Sequence, residues 1–119
     1  MRLATLLRMN ALSCLAFGAL FAAAPAAVAA FLGSAAADPV RLLGVLLMLH
    51  GAHLVWASGR RTPAWEVRYF SAGDALWVVV SLALIASGFW VTTAAGQAAV
   101  LTVAAGVGML GWLQWRAVG

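Results

Sequence analysis

Three side chains in this 119-residue sequence could share or move a proton inside an otherwise apolar setting: Asp74, His50 and His53. Asp74 stands in Ser71-Ala72-Gly73-Asp74-Ala75-Leu76-Trp77, directly before a purely apolar stretch. A carboxylate in such a helix normally faces the interior of a bundle and has a partner, because an unpaired charge in hydrocarbon is costly. Counted from Pro63, Asp74 lies about eleven residues into its helix, or ~16 Å along the axis. Reflecting it through the Arg61-Thr62 turn reaches the neighbourhood of His50 on the preceding helix. His53 shares the His50 face by i, i+3 spacing. The expected contact is therefore Asp74 with His50, with His53 or Arg68 as a second partner. The Asp74 face also carries Trp77, Ser81 and Gly88, which reads as a packing face with a polar seam. Such a seam serves either as a clamp between helices, worth ~1 kcal/mol, or as a titratable, ligand-contacting site. The clamp is the more ordinary role.

Other chemistries find less support. Two histidines and one carboxylate can make a three-ligand metal site, but no further cysteine or acid is placed to join them. The two histidines share one helix and cannot ligate opposite faces of a haem iron. Ser71 and Ser81 have no base placed to activate them. No catalytic residue, metal or cofactor is expected. Cys14 is the only cysteine, so no intrachain disulfide can form. Ala11-Leu12-Ser13-Cys14 has the outline of a lipoprotein cleavage box, but Arg8 and Asn10 leave almost no apolar run before it. Cys14 reads as a small buried helix residue.

The elements that must position these residues follow from composition. Hydrophobic residues make up 66% of the chain and charged residues 8%, against roughly a quarter charged in soluble domains. So little charge cannot cover a water-facing surface. In lipid, the backbone must satisfy its own hydrogen bonds, so only helices or a closed barrel can span. The apolar runs here are continuous and do not alternate, which selects helices. Four segments emerge, at about 11–32, 40–57, 69–91 and 98–115, each near the ~20 residues a hydrocarbon core requires. The expected fold is all-α: one integral domain, a four-transmembrane-helix bundle with antiparallel up-down topology.

The punctuation between the segments agrees. Gly33-Ser34 ends the first helix, and Pro25 should kink or break it. Asp38-Pro39 reads as an N-cap followed by proline at the first helical position. Gly59 suits a left-handed C-cap. Thr62-Pro63 repeats the cap-and-proline pattern, with Glu66 favouring the helix dipole. Thr92 to Gly96 forms a short polar turn.

All seven cationic side chains are arginine. With four spans, Arg2, Arg8, Arg60, Arg61, Arg68 and Arg116 fall on one side and Arg41 on the other, which places both termini in the cytoplasm. Trp56, Trp65, Trp112 and Trp115 serve as anchors at the cytoplasmic interface and Trp90 at the outer one, while Trp77 lies well inside. The net charge of +4 is thus a topology signal, and nucleic acid is not an expected partner. Arg2, Arg8, an apolar run and Ala35-Ala36-Ala37 before Asp38 share features with a cleaved signal peptide. The run exceeds the 7–15 residues of a signal core, which favours a retained helix.

The last segment carries small residues four apart: Thr102 with Gly106, and Ala104 with Gly108, continued by Gly111. Such stripes let helix backbones approach closely, within the bundle or at a homodimer seam. Gln114 should bond a neighbouring helix or interfacial water, and Arg116 should snorkel to headgroups.

Leu42-Leu43-Gly44, the Arg60-Arg61 turn, Asp74-Ala75-Leu76-Trp77-Val78 and Leu113-Gln114 together resemble a group of small, uncharacterised bacterial four-helix membrane proteins, over Val40 to Arg116. The resemblance implies the four-helix architecture and a bacterial inner membrane. It adds interest to Asp74 and Trp77 and implies no chemistry. With connections this short, no water-soluble site can be built on either side. The expected function is non-enzymatic: an accessory, assembly or regulatory protein acting through helix contacts, with the lipid bilayer and a membrane protein or second copy as partners. The alternative is a small proton-coupled transporter working as a dimer, with Asp74 as the titrating acid.

Overall fold

A computed structural model describes residues 2–118. The described chain is all-α, with four helices long and apolar enough to cross a membrane. The elements are α1 (Leu3–Ala23), α2 (Pro25–Leu32), α3 (Ala37–Ser58), α4 (Ala64–Ser87) and α5 (Ala94–Val118). The first expected span is α1 and α2 together. Pro25 cannot donate to the preceding turn, and the chain breaks at Ala24 (φ −131°, ψ 52°) before restarting with Pro25 at its first position.

The remaining boundaries differ from the sequence expectation for identifiable reasons. α1 starts at Leu3 rather than near residue 11, because Arg8 and Asn10 are accommodated inside the helix. Asp38 is not the N-cap of α3. That position falls to Ala36, and Asp38 sits in the first turn, 3.5 Å from Arg41. Gly59 ends α3 at φ −91°, outside the left-handed region. Thr62 does not cap α4 but turns back, its Oγ1 donating to Ala57 O at 2.7 Å. The left-handed cap belongs instead to Gly88 (φ 67°), which ends α4 and is not part of a packing face.

The helices alternate in direction. Gly18 meets Gly44 and Met48 while Leu15 meets Gly51, so α1 and α3 run antiparallel. Asp74 meets Gly111 and Val78 meets Gly108, which sets α4 antiparallel to α5. Both pairs pack closely, and α1 also touches α5. By contrast, no Cα of α3 lies within 8 Å of one in α4. The spatial order is therefore α3–α1–α5–α4, a horseshoe open between α3 and α4.

Glycine makes the tightest seam. A Cβ on Gly44 would fall 2.6 Å from Ala22 N and 2.7 Å from Gly18 O, so only the bare backbones allow α1 and α3 this separation. At the far end, Ser34 N–H donates to Trp90 O at 3.1 Å and Thr92 N–H to Leu32 O at 2.8 Å. Thr93 caps α5, its Oγ1 accepting from Gly96 N–H at 2.9 Å. These bonds hold the α4–α5 turn against the end of α2.

The core lies toward the opposite end, where Leu7, Ala11, Leu54, Ala57 and Phe70 form one buried cluster. The outer faces stay apolar and exposed, among them Leu12, Leu42, Leu49 and Val79. A surface of that kind is matched to lipid rather than water.

Candidate intramembrane polar site

Between the helices, toward the Arg-rich end, lies one buried polar cluster that draws on three helices. Asp74 projects from α4, Asn10 from α1 and Gln114 from α5; all three are buried. Asn10 Nδ2 donates to Asp74 Oδ2 at 2.9 Å and approaches Gln114 Oε1 at 3.0 Å. Gln114 Nε2 donates to the same Asp74 Oδ2 at 2.9 Å. Cys14, one turn beyond Asn10, sets its thiol 3.6 Å from Asn10 Oδ1.

The logic of the cluster is steric as well as polar. The carboxylate side chain is short, so it can meet α5 only where α5 has no side chain of its own. Gly111 provides that place: a Cβ there would lie 2.7 Å from Asp74 Cβ. The longer amides Asn10 and Gln114 then reach the carboxylate from their own helices. Two amide donors on one carboxylate oxygen offset much of the cost of burying it.

His50 does not partner Asp74, contrary to the sequence expectation. The depth argument is sound, because His50 and Asp74 line the same cleft. The open side of the horseshoe, however, lies between their helices. The His50 ring turns edge-on to Phe70, with centroids 5.7 Å apart. His53 is also not a partner of Asp74. Its Nε2 lies 3.2 Å from Glu66 Oε1, and its ring packs edge-on to Phe70 at 4.8 Å. Arg68 lies over the Trp115 ring at 5.5 Å.

Glu66 anchors a second polar group at the Arg-rich end. It is buried, and both of its carboxylate oxygens accept from Arg60. Arg60 in turn lies 3.7 Å above the Trp56 ring. The result is a layered contact, Trp56–Arg60–Glu66–His53, that bridges the ends of α3 and α4. Arg116 stands over Trp112 at 5.0 Å. Trp56, Trp65, Trp112 and Trp115 are all exposed at this end, while Trp90 lies in the opposite turn with φ 69°.

The small residues divide by role. Gly111 receives Asp74, Gly108 receives Val78 at 3.2 Å, and a Cβ on Gly106 would meet nothing within 4 Å. Ser81 is buried on α4. Buried Ser71 Oγ has no hydrogen-bond partner among the described residues.

Between α3 and α4 the open side of the horseshoe forms a cleft of about 470 Å³. Asp74 and Asn10 are at its polar end, and its walls include Phe17, Leu43, Leu47 and Trp77. Its rim is exposed: Leu46, Tyr69 and Leu76 each show more than half of their surface, at 53%, 56% and 63%. Among the described residues no group of three or more His, Cys, Asp or Glu could hold a metal ion.

Sequence reasoning missed Asn10 and the pairing of Glu66. Asn10 had a usable signal, since Leu7, Ala11, Cys14 and Gly18 continue its helix face at three- and four-residue spacing. No family model, curated protein or solved structure matches the chain.

Proposed function

We propose that this chain is a non-enzymatic membrane protein that works through helix contacts, as an accessory, assembly or regulatory component. One observation carries the reading: its two buried carboxylates are both bonded to side chains on neighbouring elements. Asp74, Asn10 and Gln114 bond one another across α1, α4 and α5, and Glu66 bonds Arg60 and His53. This is the pattern of a scaffold, without the nucleophile–base–orienting-group geometry that covalent catalysis requires. The resemblance to small bacterial four-helix proteins, and the arginines gathered at one end, support an inner-membrane location with both termini cytoplasmic. The partner is a membrane protein or a second copy. Crosslinking in native membranes followed by mass spectrometry tests the reading; a chain recovered only as an uncrosslinked monomer overturns it.

A second reading is favoured by a specific feature. Asp74 spends one oxygen on the two amides, and its Oδ1 accepts no hydrogen bond among the described residues, while the residue lines the cleft. That arrangement supports a proton-coupled transporter working as a dimer, with Asp74 as the titrating acid. Flux in proteoliposomes that responds to a pH gradient and is abolished in Asp74→Asn supports it. Flux unchanged in that variant excludes it.

A further inference from the structure

We infer that the cleft between α3 and α4 is a binding site for a primary amine carried on an apolar body, entering sideways from the bilayer. The claim concerns occupancy alone and depends on neither reading above. Four observations converge on it. First, the cleft's volume of about 470 Å³ falls within the ~300–1,000 Å³ typical of small-ligand sites. Second, its opening lies where the helix ring is incomplete, since α3 and α4 make no close backbone approach. Its exposed rim of Leu46, Tyr69 and Leu76 faces outward, so an apolar molecule dissolved in lipid meets the entrance directly.

Third, the polar groups reaching the cleft leave acceptor capacity unused: one carboxylate oxygen, and the lone pairs of a hydroxyl and of a neutral imidazole, which keep their own N–H and O–H donors as well. Among the described residues, Asp74 Oδ1 takes no donor, and Ser13 and His50, on the same cleft, make no side-chain hydrogen bond. A primary ammonium brings three N–H donors and the charge that matches the carboxylate. In a low-dielectric setting this match is strong, and an anion would be repelled. A small metal ion would need several oxygen ligands, and one carboxylate does not supply them. Fourth, the rest of the wall suits an apolar body. Leu43 and Leu47 offer aliphatic surface, and Phe17 and Trp77 offer aromatic faces. Gly73 lines the cleft too, at an exposed position where a Cβ would meet nothing within 4 Å, so the edge of the cleft is open there.

The test uses the full-length protein in nanodiscs of zwitterionic lipid, so that a cation gains nothing from anionic headgroups. Three probes of similar shape are titrated by calorimetry: 2-phenylethylammonium, its trimethylated quaternary analogue, and uncharged 3-phenylpropan-1-ol. Saturable binding of the primary amine is expected, at least tenfold tighter than either analogue. The quaternary ion keeps the charge but has no N–H, and the alcohol keeps a donor but has no charge. Asp74→Asn should weaken the amine at least tenfold. Because Asp74 also holds the bundle together, that variant could fail to fold. Gly73→Leu adds a branched side chain at the open edge of the cleft, where a Cβ meets nothing within 4 Å, and should weaken binding at least tenfold while leaving the thermal midpoint near that of the parent. The inference is overturned by any of three results: no saturable binding of the amine, equal affinity for all three probes, or undiminished binding in folded Gly73→Leu.

Discussion

Asn10 and Asp74 share a 2.9 Å hydrogen bond across 64 positions of sequence, between helices α1 and α4 whose Cα atoms nowhere come within 8 Å. The bond therefore does what backbone packing does not. With Gln114 it joins the two closely packed pairs, α1 with α3 and α4 with α5, at the polar end of the cleft. Hydrogen bonds between membrane helices average ~0.6 kcal/mol and reach ~1–2 kcal/mol. This one has more at stake, because its loss leaves a buried carboxylate short of a donor.

Asn10→Ala removes donors to both Asp74 and Gln114. We expect a destabilisation of roughly 1–3 kcal/mol, the cost of leaving a buried polar group unsatisfied. Asn10→Ala combined with Asp74→Leu should cost less than the sum of the single changes, by at least ~0.5 kcal/mol, since the second change removes the group that the first strands. Reversible unfolding in mixed detergent micelles measures all three. Strict additivity would mean that the two side chains are not in contact.

Gly111→Ala places a methyl 2.7 Å from Asp74 Cβ, where neither atom can rotate away. The helices must separate, at a cost of roughly 1–3 kcal/mol typical of overpacking. Gly106→Ala is the control on the same helix. Its new methyl meets nothing within 4 Å, and alanine is the better helix former by ~1 kcal/mol, so the variant should equal or exceed the parent in thermal midpoint. Equal losses in both variants would contradict the close approach at Gly111.

These two positions also show how far the sequence can be read. The four spans were legible because apolar run length is a local property. The break at Pro25 was legible because the missing N–H is local too. The depth of Asp74 relative to His50 followed from counting through a turn, and both do line one cleft. Which side chains touch was not legible, since that depends on the rotation of each helix and on which pairs pack closely. Those are set by Gly18 with Gly44 and by Gly111 with Asp74, contacts between residues far apart in sequence. Asn10 was not read as a site residue because the apolar run begins only after it, near residue 11, whereas the helix starts at Leu3. A long arginine side chain can snorkel from inside a span to the interface, so its presence does not end one.

The separation of His50 from Asp74 has a measurable consequence. His50→Ala loses an edge contact with Phe70 and should cost less than His53→Ala, which loses both a Phe70 contact and the bond to buried Glu66. His50→Ala and Asp74→Asn together should add within ~0.5 kcal/mol, as expected for residues with no shared partner. A coupling above ~1 kcal/mol in that double variant would restore the pairing that the sequence alone suggested.

The Arg60–Glu66 pair bridges the α3–α4 turn below the cleft. Glu66 is 3% exposed while the Arg60 side chain is 29% exposed, so the two residues are unequal partners. Truncating one partner of a fully buried pair costs ~3–5 kcal/mol, but water reaching the Arg60 side lowers the effective value. Arg60→Ala should cost roughly 2 kcal/mol, because it strands the carboxylate with His53 as its only remaining partner and uncovers the Trp56 ring. Glu66→Gln should cost less, since a neutral amide keeps one acceptor for Arg60 and leaves no buried charge. Adding Glu66→Gln to Arg60→Ala should therefore recover part of the loss, which thermal unfolding followed by tryptophan fluorescence will register. If the double variant is less stable than Arg60→Ala alone, the carboxylate is not what the arginine stabilises. The bridge would then owe its strength to Arg60 packing on Trp56.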